Sequence, residues 1–420
     1  MHLPPLHLSL RRHRSAVAAL RGDKAGGVVL TAGALVALAW ANLPGLSATY
    51  HQVWGGNAPG SGLIGVGLTW RDWVDQGLMC GFFAGIGLEI RREVTVGTLR
   101  TWRRAAVPVL AAVGGMALPA LLFSIVSAGG PGRGGWSIPM ATDVAFALGA
   151  LALLGSGISS RARVFLMTLA VADDVLSIVV LVAVASGRVK LWWLAAGLGA
   201  LVVMGLMRLS RLSVGWPVVV LGAVGWWCFL HAGVEAAVIA VAAGALAPVG
   251  RGRGGVTGTG TGQAGNHPGA RRWELRLEPL VNAVVLPVFA LANAGLSFAG
   301  SGLASGAGLR VFAAVVVARL VGKPVGIYAT TRVARRAVGA ARPGLRGTGL
   351  AGVGTVATIG FTVPLLLVRA VFPPGPLAAG ATAGLLAASV LGAVAGGAVL
   401  RRPARATVPE GSGSPGGISR

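Results

Sequence analysis

One apolar stretch with two adjacent charges at its centre indicates the fold class; it reads Val164-Phe-Leu-Met-Thr-Leu-Ala-Val-Ala-Asp-Asp-Val-Leu-Ser-Ile-Val-Val-Leu-Val-Ala-Val-Ala185. It is apolar for long enough to cross a bilayer as a helix, because about 20 residues span the hydrocarbon core. Two adjacent carboxylates, Asp173 and Asp174, lie at its centre, where each costs about 2.5–3.5 kcal/mol on insertion scales. Together with Asp143 in a second apolar run, they predict an ion or proton pathway through a membrane.

The composition places the whole chain in the membrane class. Of its 420 residues 54% are hydrophobic and 11% are charged, and the mean hydropathy is +0.75. A soluble domain has about 25% charged residues. We therefore predict an all-α polytopic protein of about twelve spans, at roughly 25–43, 72–90, 105–128, 136–156, 164–186, 191–207, 214–230, 232–249, 279–298, 311–331, 347–368 and 375–400.

The positive charges indicate the orientation of the chain. The net charge is +24, which taken alone would indicate a nucleic-acid partner. With these spans, however, 28 of the 36 Lys and Arg residues lie on one side and 6 on the other, and two lie inside the tenth span. Cytoplasmic loops carry this excess in membrane proteins. The charge predicts cytoplasmic N- and C-termini and a lipid environment, with no nucleic-acid partner.

Three regions follow from the same pattern. Residues 1–24 are predicted to form a cytoplasmic tail, because no apolar signal region precedes the first span. Residues 25–401 form the transmembrane domain, which includes a Gly-rich cytoplasmic loop at 250–278. Residues 402–420 are predicted to be a disordered cytoplasmic tail. Cys80 and Cys228 fall in apolar runs and are expected to pack there rather than to form a disulfide.

Two of the spans carry residues that break helices. Span four contains Pro139 close to Thr142 and Asp143, and span eleven contains Gly354, Thr358 and Gly360 among further Gly, Thr and Pro residues. Unwound backbone is tolerated in a membrane where it is buried in protein or lines a wet cavity. We expect two discontinuous helices, and inverted-topology repeats formed by spans 3–5 and 10–12. Ordinary packing of small residues between helices is the alternative.

Lys323 is the only lysine within a predicted span. The chain uses lysine only at positions 24, 190 and 323, against 33 arginines. An ammonium group can lose its proton and a guanidinium group cannot, so a lysine here suggests a group that titrates. A buried Asp–Lys pair would titrate as a coupled unit. A purely structural ion pair is the alternative.

Oxygen atoms near these residues could bind an alkali cation. Hard cations prefer oxygen ligands, and Asp174, Asp143, the Thr142 hydroxyl and freed carbonyls could supply them. A carboxylate that binds either Na⁺ or protons, but not both, couples the two without a separate sensor. The sequence thus indicates antiport by competition.

These motifs resemble the NhaA-type sodium/proton antiporters of bacterial inner membranes over residues 20–400. The matching stretches are Gly26-Gly27 through Ala39-Trp-Ala-Asn42, Phe82-Phe-Ala-Gly-Ile-Gly-Leu-Glu89-Ile-Arg-Arg-Glu93, Pro139-Met-Ala-Thr-Asp143 through Gly149, Asp173-Asp174, Leu286-Pro-Val-Phe-Ala-Leu-Ala-Asn293-Ala-Gly295, Gly322-Lys-Pro-Val-Gly326 and Ile359-Gly-Phe-Thr362. The resemblance implies electrogenic, pH-regulated exchange of cytoplasmic Na⁺ or Li⁺ for protons, and no cofactor.

The resemblance also assigns roles to residues. It implies Asp174 and Asp173 as the carboxylates for Na⁺ and protons and Lys323 as the partner of Asp173. It places Thr142 and Asp143 where two broken helices cross, with Asp143 and Lys323 offsetting their dipoles. Glu89, Glu93 and Glu278 resemble acidic positions linked to pH activation. A homodimer is expected, aided by the periplasmic loop Pro44–Arg71.

The sequence departs from the family pattern at two places. A glycine and an alanine usually follow the Asp pair, but this chain has Val175-Leu176-Ser177, and the bulk of Leu176 is expected to narrow the path. In span eight the family has Gly-Val-His-Ala-Thr, and this chain has Gly233-Val-Glu235-Ala-Ala237. Glu235 therefore joins the candidates for the pH response, in place of a histidine.

Other functions fit the sequence less well. An intramembrane aspartyl protease, the enzyme alternative, needs its aspartates in motifs that are absent here, so we expect no enzyme. A channel would need no titrating pair. A sodium-coupled symporter of an organic solute, with a similar inverted-repeat fold, is the alternative closest to an antiporter, but the sequence has no distinctive polar cluster for a solute.

Overall fold

The fold is a bundle of apolar helices. The computed structural model describes residues 23–59, 62, 65–95, 100–143, 146–147, 160–185, 189–209, 216–246, 279–298, 302–338 and 347–401. Within this part of the chain the regular structure is helical, apart from an isolated bridge between Asn57 and Thr69. The Gly-rich loop 250–278 and both predicted tails, except for Asp23 and Lys24, lie outside the described residues.

The helices of the first half are α1 to α8. They comprise α1 (Asp23–Asn42), α2 (Ser47–Gly55), α3 (Met79–Thr95), α4 (Trp102–Val126), α5 (Ser160–Ala185), α6 (Leu191–Leu209), α7 (Trp216–Ala232) and α8 (Ala237–Leu246). A short helix, Trp70–Asp72, and a π-helical segment, Trp73–Leu78, lead directly into α3, and a 3₁₀ segment, Pro131–Ser137, follows α4.

The second half contains α9 to α14. They comprise α9 (Leu286–Asn293), α10 (Gly306–Val317), α11 (Lys323–Val338), α12 (Gly347–Val356), α13 (Thr362–Val371) and α14 (Pro376–Arg401). π-Helical segments precede α9 (Val281–Val285) and join α10 to α11 (Ala318–Gly322). The helix from residue 306 to 337 is therefore continuous for 32 residues.

Four helices of the described residues are long and apolar enough to cross a membrane, at 105–126, 164–184, 306–337 and 376–400. Helices α1 and α2 bend by 115° at a short break and form a fifth span if they are counted as one. Shorter apolar helices occur at 191–207, 217–232, 281–293 and 362–371. Polar residues, breaks and undescribed segments divide the other predicted spans, so the count of twelve stays a prediction.

The helices pack in two sets. Helices α4, α5 and α10 to α14 pack mainly against one another, with α4 beside α11 and α14 beside both α10 and α12. In the other set α1 packs on α9, α3 on α8, and α6 on α7. Contacts of α3 with α5 and of α9 with α13 join the two sets. Asp173, Arg319 and Lys323, which belong to helical segments of the first set, are buried inside it.

Candidate functional site

Two non-helical segments cross inside the first set of helices. One follows the 3₁₀ segment and has no regular secondary structure at 141–143, and the other, at 357–361, separates α12 from α13. The backbone N–H of Asp143 donates to the Ile359 carbonyl at 3.0 Å. The Thr142 hydroxyl donates to the Ala357 carbonyl at 3.1 Å. Backbone groups that leave their helices are thus satisfied by the other segment.

The Asp143 carboxylate caps helical backbone on both sides of the crossing. Its Oδ1 accepts from the Phe146 N–H at 3.0 Å, and its Oδ2 accepts from the N–H and the hydroxyl of Thr362 at 3.2 and 3.0 Å. Thr362 is the first residue of α13, where unsatisfied N–H groups favour a negative charge. Asp143 is 4% exposed, so these bonds satisfy a buried carboxylate.

Asp173 and Lys323 form a buried ion pair. The Lys323 Nζ lies 3.1 Å from Asp173 Oδ2, and both residues are almost completely buried. Asp173 Oδ2 also accepts from the Thr142 N–H at 2.7 Å, and Lys323 Nζ donates to the Met140 carbonyl. The pair joins α5, α11 and the non-helical segment that contains Thr142.

Asp174 has a different environment from its neighbour. Consecutive residues of a helix point about 100° apart, so its carboxylate points in another direction than that of Asp173, and Lys323 is still close enough to act on it electrostatically. It is partly exposed, whereas Asp173 is 2% exposed. Asp173, Asp143 and Glu89 are close enough to act on it electrostatically. Asp174 is thus the most accessible of the three carboxylates.

Arg319 is a part of this site that the sequence analysis did not single out. Its side chain is fully buried, and its guanidinium donates to the carbonyls of Thr358 at 2.9 Å, Ala141 at 2.9 Å and Pro139 at 3.3 Å. The signal was present in the sequence, because an arginine in a span is as costly as a lysine.

The glycines predicted to break the spans make close contacts possible. A Cβ atom on Gly360 would overlap the guanidinium of Arg319, and one on Gly354 would lie 3.0 Å from the Pro324 backbone. Thr358 is fully buried, and its hydroxyl donates to the Thr355 carbonyl at 2.6 Å. From α14, Ser389 bonds both the N–H and the carbonyl of Gly360. These contacts hold the segment that follows α12.

The candidates for a pH response do not lie together. Glu89 and Glu93 lie near the end of α3, with Glu89 exposed and Glu93 half-buried. Glu235 lies in the turn between α7 and α8, near Asp75, which belongs to the π-helical segment before α3. Asp75 and Glu93 are 18 residues apart along one helix, or about 27 Å at 1.5 Å per residue. Glu278 lies outside the described residues.

A second polar cluster was not predicted from the sequence. Arg369 of α13 forms an ion pair with Asp72 at 3.0 Å and another with Asp75. Asn293, at the end of α9, donates to Asp75 at 2.7 Å. Of these four residues, only Asn293 lies in one of the stretches that resemble the antiporter family. The cluster depends on three segments far apart in sequence, which no local pattern brings together.

The Leu176 and Gly295 positions have clear packing roles. Leu176 is half-buried and packs on an apolar cluster that includes Leu166 and Val356. A Cβ atom on Gly295 would overlap the Tyr50 ring, whose hydroxyl accepts from the Gly295 N–H at 3.1 Å. The motif around Asn293 therefore ends in a close contact with α2.

The sequence is similar to known proteins over most of its length. Residues 18–400 match the family described as Na+/H+ antiporter 1. The chain is 39% identical over 386 residues to the Na(+)/H(+) antiporter NhaA of Acidovorax sp., covering 89% of this chain and 88% of that protein. It is 40% identical to the NhaA protein of Frankia casuarinae (85% and 79% covered) and 35% identical to NhaA 2 of Rhodococcus jostii (96% and 97% covered).

Proposed function

The chain belongs to the NhaA family of Na⁺/H⁺ antiporters, and from this premise we propose that Asp174, Asp173 and Lys323 carry the exchange at the crossing of the two non-helical segments. Its function is Na⁺/H⁺ antiport by a multi-pass membrane protein, which confirms the resemblance stated from the sequence. Its relatives are transporters rather than enzymes, and they give no support to the symporter alternative.

One observation carries the assignment of residues. A partly exposed carboxylate, Asp174, adjoins a buried carboxylate that is already paired with Lys323. A cation that reaches the site meets Asp174 first, and Asp174 can hold either that cation or a proton. Asp173 lies next to it and is paired with the Lys323 ammonium, which can lose a proton and take it up again.

The other oxygen atoms have more restricted parts. Asp143 accepts three hydrogen bonds at the helix crossing, so in this proposal it stabilises the crossing and acts on the cation through its charge. The Thr142 hydroxyl donates a hydrogen bond to the Ala357 carbonyl, and the lone pairs of its oxygen stay available to a cation. Na⁺ and Li⁺ are both suited to such oxygen ligands.

The remaining features of the proposal follow from charge and topology. Exchange is electrogenic because a carboxylate pair and an ammonium can together move more protons than cations. The positive-inside distribution supports cytoplasmic termini in a bacterial inner-membrane protein, and in this proposal Na⁺ or Li⁺ leaves the cell as external protons enter. Twelve spans, two inverted repeats and a homodimer that uses the loop Pro44–Arg71 complete the proposed assembly.

The test is proton movement in energised inside-out vesicles that contain the protein. With a pH-sensitive dye we expect Na⁺ or Li⁺ to dissipate the proton gradient in the wild type and to have no effect in Asp174→Asn, because the amide cannot exchange a charge. Asp23→Asn, which removes a carboxylate at the first residue of α1, is the matched control. Wild-type exchange in Asp174→Asn would remove Asp174 from the mechanism.

A further inference from the structure

Arg319 and Lys323 together occupy three consecutive carbonyl groups of one non-helical segment. Arg319 donates to the carbonyls of Pro139 and Ala141, and Lys323 donates to that of Met140 between them. Two buried cations, four residues apart on the helix from 306 to 337, thus face the same short stretch of backbone. Only Lys323 also pairs with a carboxylate among the described residues.

Arg319 also reaches the other segment. Its Nε donates to the Thr358 carbonyl at 2.9 Å, while its terminal nitrogens bond the segment that contains Pro139 and Ala141. A guanidinium can do this because its donors form a rigid planar fork and it keeps its charge at every physiological pH. Gly360 leaves room for the fork, since any side chain there would overlap it.

These carbonyls would otherwise be free to bind a transported cation. Carbonyl oxygens released from helices are ligands for Na⁺ in membrane proteins, and a buried carbonyl needs a partner. The guanidinium supplies that partner permanently. What remains for a mobile cation is the carboxylate side of the site, at Asp174 and Thr142.

We propose that Arg319 is a positioning residue for cation exchange: it fixes the two crossing segments in register and withholds the carbonyls of Pro139, Ala141 and Thr358 from the transported ion. Cation affinity and the preference between Na⁺ and Li⁺ then depend on the geometry that this fork imposes. The inference rests on the proposed site at Asp174.

The substitution Arg319→Lys tests the geometry while it keeps the charge. An ammonium cannot span both segments, so the crossing loosens and the carbonyls become available. We expect the Na⁺ concentration at half-maximal exchange to change at least about fivefold, and the ratio of the Na⁺ to the Li⁺ value to change, with a maximal rate within about twofold of the wild type. Arg332→Lys, at an exposed arginine of α11, is the matched control.

The experiment separates positioning from general stabilisation. Unchanged half-saturation values for both ions in Arg319→Lys would overturn the proposal. So would a fall in melting temperature and maximal rate with those values unchanged. If Arg319→Lys does not fold, Gly360→Ala is the second variant: its Cβ atom would overlap the guanidinium and lie 2.7 Å from the Ala141 carbonyl oxygen, so it disturbs the same contacts while Arg319 stays in the chain. Unchanged values there overturn the proposal.

A failure of this inference can be told from a failure of the proposed site. Asp174→Asn is measured in the same vesicles. If it is inactive while Arg319→Lys behaves as the wild type, only the role of Arg319 is refuted. If Asp174→Asn exchanges normally, the site itself is refuted, and the role of Arg319 with it.

Discussion

At the residue scale, the three carboxylates of the site differ in what satisfies them. Asp143 accepts hydrogen bonds from helical backbone and from Thr362, and Asp173 is bonded by Thr142 and Lys323. Asp174 is instead partly exposed. A carboxylate that already has fixed donors gains less from a mobile cation, because the cation must displace them. The differences in bonding therefore order the three residues by their availability to Na⁺.

Lys323→Arg distinguishes a titrating amine from a fixed counter-ion. Arginine keeps a positive charge beside Asp173 but does not release a proton. We expect slower exchange, a pH profile displaced toward alkaline values and an altered charge stoichiometry, measured as proton movement and membrane potential in the same vesicles.

Thermal stability provides the control for Lys323. Lys323→Ala leaves Asp173 buried without its partner, which costs about 3–5 kcal/mol, so its melting temperature should fall well below that of Lys323→Arg. An arginine variant with the wild-type pH profile and the wild-type electrogenicity would reduce Lys323 to a structural counter-ion.

At the scale of elements, proline and glycine gave a local expectation that two helices are interrupted, but no expectation of how two such segments meet. Pro139 and the residues of 352–364 indicated interruptions because proline and glycine act locally on the backbone. The bond from Thr142 to Ala357 joins residues 215 positions apart, and no local pattern specifies that register. The contact partners of Arg319 and Arg369 could not be predicted from the sequence for the same reason.

The turn between α7 and α8 illustrates the same limit. Gly233 adopts a φ of 75°, a conformation that favours glycine, and Glu235 follows two residues later. The sequence marked Glu235 as a pH candidate by its place in a motif. The structure adds that one of its oxygens is buried and receives no hydrogen bond from the described residues. Asp75, Cys80 and Arg369 are close enough to interact with it electrostatically.

We expect Glu235→Ala to displace the pH dependence of exchange while the maximal rate stays within about twofold, because a neighbouring charge alters protonation without contributing to the site. The measurement is the rate of Na⁺-induced proton movement from mildly acidic to alkaline pH. Glu235→Gln tests whether charge rather than shape is responsible, and Glu235→Asp should restore the profile. An unchanged profile in all three variants would show that Glu235, in the turn before α8, takes no part in the pH response.

At the scale of the whole molecule, the second polar cluster connects the two sets of helices. Arg369 belongs to α13, which begins at the crossing, and its partners Asp72 and Asp75 precede α3 in the other set. Asn293 brings α9 into the same cluster. If one set of helices moves against the other during transport, the ion pairs of Arg369 and the hydrogen bonds of Asn293 must either break or move together with both sets. The cluster is therefore a point at which global stability and transport are coupled.

Substitution of Arg369 should reveal how much the cluster stabilises the molecule. Asp75 is 5% exposed, so Arg369→Gln leaves a buried carboxylate without its main charge partner; because the arginine side chain is 34% exposed, we expect a cost of about 1–3 kcal/mol. We expect a clear fall in the melting temperature of the purified protein. Adding Asp75→Asn should recover most of the loss, because a neutral pair has no uncompensated charge. Arg332→Gln, on the exposed face of α11, should melt like the wild type. A double variant as unstable as Arg369→Gln alone would show that the packing of the arginine side chain, rather than its charge, joins the two sets.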